Sequence, residues 1–119
     1  MNTEEHERKL KEITELFKLS NKALLAVGDE TRQQIIITLI KYGCNGVRVG
    51  ELTNQTYLSR PAISHHLKIL KEAKVVNLRK EGTKNYYFID STSKIWKDIL
   101  ILMEKINILI NINERKEEL

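Results

Sequence analysis

Residues 58–76 read LSRPAISHHLKILKEAKVV, and the parsing of this stretch decides the fold. Ser59 offers an N-capping hydroxyl, so Arg60 and Pro61 fall in a first helical turn, where proline's missing N–H costs nothing. With about 100° of rotation per residue, Ile63, Leu67 and Leu70 share one face and His66 lies at its edge. Pro61, His65, Lys68 and Glu72 fall opposite, flanked by Ala62, Ser64 and Ile69. The exposed N-terminal half is therefore small, hydrogen-bonding and basic, the character a helix needs to enter a major groove.

Working outward, residues 50–56 suit a short helix with Leu52 inward, and Tyr57-Leu58 then turn the chain into the quoted stretch. Two short helices joined by a tight turn form a helix-turn-helix. After Ala73 the apolar period drops from about 3.6 to about 2. Residues 75–80 and 85–89 read as strands around Glu81-Gly82-Thr83-Lys84, a β-hairpin with a basic tip. Upstream, residues 3–27 carry apolar residues at helical spacing, with Ser20 and Asn21 a place for a bend or a fresh start. Gly28 stops that helix, and Asp29 caps a second one to about Lys41 that turns Ile35, Ile36, Leu39 and Ile40 to the core. Tyr42 to Gly46 form a loop, and Val47 to Val49 suffice for one bridge strand at most.

Asp90, Ser91 or Thr92 can cap a last helix to about Asn113, followed by a solvated end, ERKEEL. Its apolar residues make two adjacent stripes, Ile95, Ile99, Leu102, Ile106, Leu109 and Trp96, Met103, Ile110. One stripe covers a small domain's own body, so the second implies a helix from another copy. The expected architecture is a single domain, residues 1–119, mainly α with a small β-hairpin (α+β) and about five helices. Within it, residues 1–27 and 92–113 are dimerisation helices around a DNA-binding core at 29–89, whose hairpin spans 75–89.

Charge is concentrated in the same region. From Arg60 to Lys84 seven basic residues face two acidic ones, a net +5, while the whole chain is only +4. A basic segment on a nearly neutral body is the footprint of a polyanion partner, here double-stranded DNA. Arg60 can bond a guanine edge or clamp a phosphate, Ser64 and His65 can reach base edges, and Ala62 can meet a thymine methyl. Ser59 and Lys68 complete the helix's contribution, and Arg79, Lys80 and Lys84 flank the hairpin tip as phosphate contacts. Tyr86, Tyr87 and Phe88 read as packing residues rather than base-stacking ones.

Other chemistries find little support. His65 and His66 point about 100° apart on a helix and cannot hold one metal together. No nucleophile with its base, phosphate loop or pair of pocket carboxylates is evident, so no enzyme and no cofactor are expected. Cys44 is the single cysteine, which excludes an internal disulfide and fits a reducing cytosol. The start, MNTEEHERKL, is not a signal peptide, and residues 95–112 are too interrupted by charge to span a membrane. A cytoplasmic, nucleoid-associated protein without a membrane partner is expected.

LAVGDETRQQIIITL, VGELTNQTYLSRPAISHHLKILKEAKVV and LRKEGTKNYYFI, in this order and spacing, resemble the ArsR/SmtB family of bacterial winged helix-turn-helix repressors. The resemblance covers residues 24–89 and implies a homodimer on an inverted-repeat operator, released when an effector binds. The thiolate positions of the metal-sensing Cys-x-Cys branch correspond here to Arg48 and Gly50, and no His or Cys follows His66. With those metal ligands missing, the resemblance leaves an unidentified non-metal effector, oxidation of Cys44 or no effector at all, and a protein-interaction module that has lost DNA binding is the alternative function. Lys74 replaces a glycine that often ends the recognition helix in the family. It either occupies a left-handed position at about 1 kcal/mol or the helix closes differently. Thr83 stands where the hairpin often carries arginine, a charge that Lys84 can supply.

Overall fold

The computed structural model describes the backbone of residues 1–118 and the side chains of residues 1–112. The solvated end expected at 114–119 lies outside those side chains. Five helices and one hairpin follow in the order α1 (Thr3–Val27), α2 (Glu30–Tyr42), a 3₁₀ turn (Gly43–Asn45), α3 (Val49–Thr56), α4 (Arg60–Glu72), β1 (Val76–Glu81), β2 (Lys84–Ile89) and α5 (Ile95–Glu118). The fold is a winged helix-turn-helix. The chain divides into two compact units, Lys22–Ser93 and Met1–Asn21 with the residues from Lys94 onward.

In the unit Lys22–Ser93, each helix end has a local reason. Asp29 Oδ1 accepts the Arg32 backbone N–H at 2.9 Å and caps α2. That hydrogen bond holds the carboxyl pKa below its ordinary value, so the cap contributes above the unfolded-state pKa and is lost as pH falls through the folded one. Two side chains of α2 then satisfy orphan carbonyls of α1: Arg32 Nε donates to Ala26 O and Gln33 Nε2 to Val27 O, each at 2.8 Å. Ile35, Ile36 and Leu39 are buried, but Ile40, expected in the core, is 62% exposed. It lies about 90° from the middle of the Ile35/Ile36 stripe, beyond the width that the core covers.

Ile63, Leu67 and Leu70 of α4 pack with Leu52 of α3 and with Val75 and Val76 in the core of this unit, all at most 2% exposed. The end of α4 is a Schellman motif: Val75 N–H donates to Leu70 O and Lys74 N–H to Lys71 O, each at 3.0 Å. Lys74 takes φ 63° there, the left-handed conformation that glycine adopts without a Cβ penalty. Lys74→Gly is therefore expected to stabilise the protein by about 1 kcal/mol, seen as a higher Tm at unchanged helix content.

The hairpin is tighter than the four-residue connection expected. Glu81 pairs with Lys84, so the ladder closes on Gly82 and Thr83 alone, and Gly82 supplies the positive φ of 63° at the first turn position. Val47 joins β2 through two hydrogen bonds of 2.8 Å with Tyr87, the single bridge expected of that segment. Gly46 makes the approach possible, since a Cβ there would lie 2.9 Å from the Tyr86 Cβ. Tyr86, Tyr87 and Phe88 are half-buried.

The caps expected for the last helix belong to the unit Lys22–Ser93, and α5, in the other unit, begins beyond them at Ile95. Asp90 is occupied in a turn of its own, accepting from Thr92 N at 2.9 Å and Thr92 Oγ1 at 2.6 Å. Ile95, Leu102 and Leu109 of the first stripe are buried, whereas Met103 and Ile110 of the second are 47% and 50% exposed. On α1, which runs without a break through a fully buried Ser20, Leu10 and Phe17 are each 44% exposed. Lys105 Nζ on α5 pairs with Glu12 Oε2 on α1 at 3.0 Å.

Candidate nucleic-acid interface

The capping hydroxyl of Ser59 accepts Ala62 N–H at 3.3 Å, with Pro61 in the first turn, so α4 starts where its sequence dictates. Burying Ile63, Leu67 and Leu70 then forces the other face outward. Ser64, His65 and Lys68 are exposed along that face, Ser59 and Arg60 are exposed at the N-terminal end of the helix, and Ala62 is half-buried at the flank. No acidic residue stands between Glu51 and Glu72, so the surface presented by α4 is positive along most of its length.

The adjacent histidines separate. His65 is exposed, whereas His66 is half-buried and its Nδ1 meets Arg32 Nη1 at 3.3 Å. Arg32 Nη2 also donates to Leu25 O at 3.4 Å, so this one guanidinium ties the end of α1 and the start of α2 to the back of α4. Sequence reasoning missed Arg32, whose only local signal is its place in the first turn after Asp29. It placed Tyr57 in the turn before α4 but missed its backbone strain. This residue holds φ 59° and ψ 16°, left-handed backbone that costs an L residue about 1–2 kcal/mol. A bulky residue just past a helix end and two before an N-cap was the available signal.

On the wing, strand pleating separates the three basic residues. Arg79, Glu81 and, across the ladder, Lys84 and Tyr86 share one face, while Lys80 lies on the other. The Arg79 guanidinium is engaged within the protein: Nη1 donates to Cys44 O at 3.1 Å, Nη2 to Asn45 O at 2.9 Å and Nε to Glu81 Oε1 at 3.1 Å. It also lies 5.3 Å from the Tyr86 ring centroid. This fork fastens the wing to the 3₁₀ turn, leaving Lys80 and Lys84 exposed near the tip. Both Arg79→Ala and Arg79→Lys are expected to lose about 1 kcal/mol of stability without DNA, because lysine keeps the charge but not the fork. A residue serving phosphate alone would leave the DNA-free Tm unchanged.

Residues 29–77, from the α2 cap to the start of β1, match the family described as bacterial regulatory protein, arsR family. An uncharacterised HTH-type transcriptional regulator of Methanocaldococcus jannaschii is 40% identical over 81 residues, 68% of this chain and 81% of that protein. The chain belongs to the arsR family. A second relative, the transcriptional repressor SdpR of Bacillus subtilis, is 33% identical over 91 residues, 76% of this chain and 89% of that protein. Among solved structures, HlyU from Vibrio cholerae superposes with a TM-score of 0.57 at 33% identity, covering 71% of this chain and 88% of that one. As an arsR-family member the protein is a DNA-binding transcriptional regulator, and its named relatives are regulators rather than enzymes. No helix of the described residues is long and apolar enough to cross a membrane.

Proposed function

We infer that this arsR-family regulator is a homodimeric repressor that recognises an inverted-repeat operator. The observation that carries the reading is the capped N-terminal half of α4, whose exposed Arg60, Ser64, His65 and Lys68 follow one another along a positive face. Arg60, Ala62, Ser64 and His65 read bases, and Ser59 and Lys68 complete the helix's contacts. Lys80 and Lys84 bind phosphate, with Arg79 holding the wing that carries them. The exposed Met103 and Ile110 on α5 and Leu10 and Phe17 on α1 favour a dimer, because an apolar surface at these spacings suits a second copy of the same helices. Two copies of α4 would then enter successive major grooves about 34 Å apart. Similarity to the transcriptional repressor SdpR, 33% identical over 91 residues, supports the sign of the regulation.

The effector in this reading is not a metal. Arginine and glycine at positions 48 and 50, and the lack of His and Cys after His66, leave the two ligand sets of the metal-sensing branches without thiolate or imidazole. Selection from random duplexes at moderate salt tests the DNA reading. An enriched inverted repeat is expected, and enrichment of no sequence would favour an interaction module instead. Stoichiometric zinc in protein purified without a histidine tag would refute the non-metal effector.

A further inference from the structure

Lys74 and Tyr57 both hold left-handed backbone, but only Lys74 obtains a bonded helix end for it. Tyr57 is 97% exposed, so neither packing nor a hydrogen bond of its side chain within the chain offsets the unfavourable conformation. Folding alone would favour glycine or asparagine at this turn. Nor does the backbone of this turn belong to a loose loop. Thr56 Oγ1 donates to Leu52 O at 2.6 Å and accepts Leu58 N–H at 3.4 Å, and Ser59 caps α4 immediately afterwards. The backbone that carries the ring is thus held, and the ring projects into solvent at the mouth of α4, in the acid-free segment between Glu51 and Glu72 and three residues before Arg60. An exposed aromatic side chain carried on strained backbone beside a positive surface has the character of a ligand contact, and an anionic polymer is the ligand that this surface suits.

We propose that Tyr57 contacts the DNA backbone at the edge of the groove entered by α4, its phenolic O–H donating to a phosphate oxygen while its ring lies on the adjoining deoxyribose. The inference rests on the docking of α4 set out above. It makes Tyr57 a residue that sets affinity and register without reading sequence. Anisotropy titrations of wild type, Tyr57→Phe and Tyr57→Gly on the selected duplex and on a random one test it. Tyr57→Phe is expected to weaken both duplexes equally, by roughly three- to tenfold. Its salt dependence should match that of wild type, because a neutral hydroxyl displaces no counterion. Tyr57→Gly is expected to bind at least as weakly while its Tm rises, affinity and stability moving in opposite directions as the strain is relieved. Wild-type affinity in Tyr57→Phe, or a loss confined to the selected duplex, would overturn the backbone contact. Failure of the wild-type protein itself to bind duplex would instead overturn the docking of α4, a result read before any variant is made.

Discussion

Replacing Met103 and Ile110 together with glutamate is expected to turn the protein into a monomer and to weaken binding to its selected duplex by roughly a hundred- to ten-thousandfold. The two residues lie one above the other on α5 and are 47% and 50% exposed, so the charges meet water in the monomer and an apolar, like-charged surface in the dimer. Most of that range lies above the roughly 1 to 3 kcal/mol that one base contact contributes. In a dimer the second α4 binds at the high effective concentration set by the first, and a monomer forfeits that advantage. Sedimentation equilibrium at micromolar protein checks the assembly, circular dichroism checks that the helices persist, and a half-site duplex provides the control. The half-site should be bound about equally by wild type and variant. A variant that stays dimeric would place the interface elsewhere.

Arg60→Ala and His65→Ala are each expected to reduce discrimination between the selected and random duplexes by about 1 to 3 kcal/mol, the range for loss of a good base contact. Arg60→Lys should not restore it, because an ammonium cannot reproduce a bidentate guanidinium. Lys84→Ala should behave differently, weakening both duplexes alike and making the slope of log affinity against log salt shallower by about one unit. Competition binding at several salt concentrations separates the two patterns. Arg60 and His65 are proposed readers because they are exposed on the first two turns of α4, the part of a recognition helix that reaches base edges. Equal losses on both duplexes would reassign them to phosphate.

Helix α4 was legible because its signals are local. A capping serine, a proline in the first turn and apolar residues three and four apart act within a few residues, and α4 runs from Arg60 to Glu72 accordingly. The hairpin's length was less legible. Glu81 and Lys84 have polar side chains that suit a loop as well as a strand end, and only the register with the partner strand decides between them. Ile40 failed for the same kind of reason, since an apolar residue at the rim of a stripe is buried only if a neighbour reaches that far.

The sequence by itself determined that the chain is a helix-turn-helix followed by a basic hairpin, and that its positive charge lies with the helix that would read DNA. Propensity, capping and apolar period depend on near neighbours, and near neighbours are what a sequence displays. Only the tertiary structure decided what the long polar side chains do. Arg32 and Arg79 look interchangeable with any surface arginine until folding brings His66 to the one, 34 residues on, and the Cys44 and Asn45 carbonyls to the other, 35 and 34 residues back. A guanidinium's partners are set by which backbone groups are left unpaired nearby in space, and that is a property of the assembled fold.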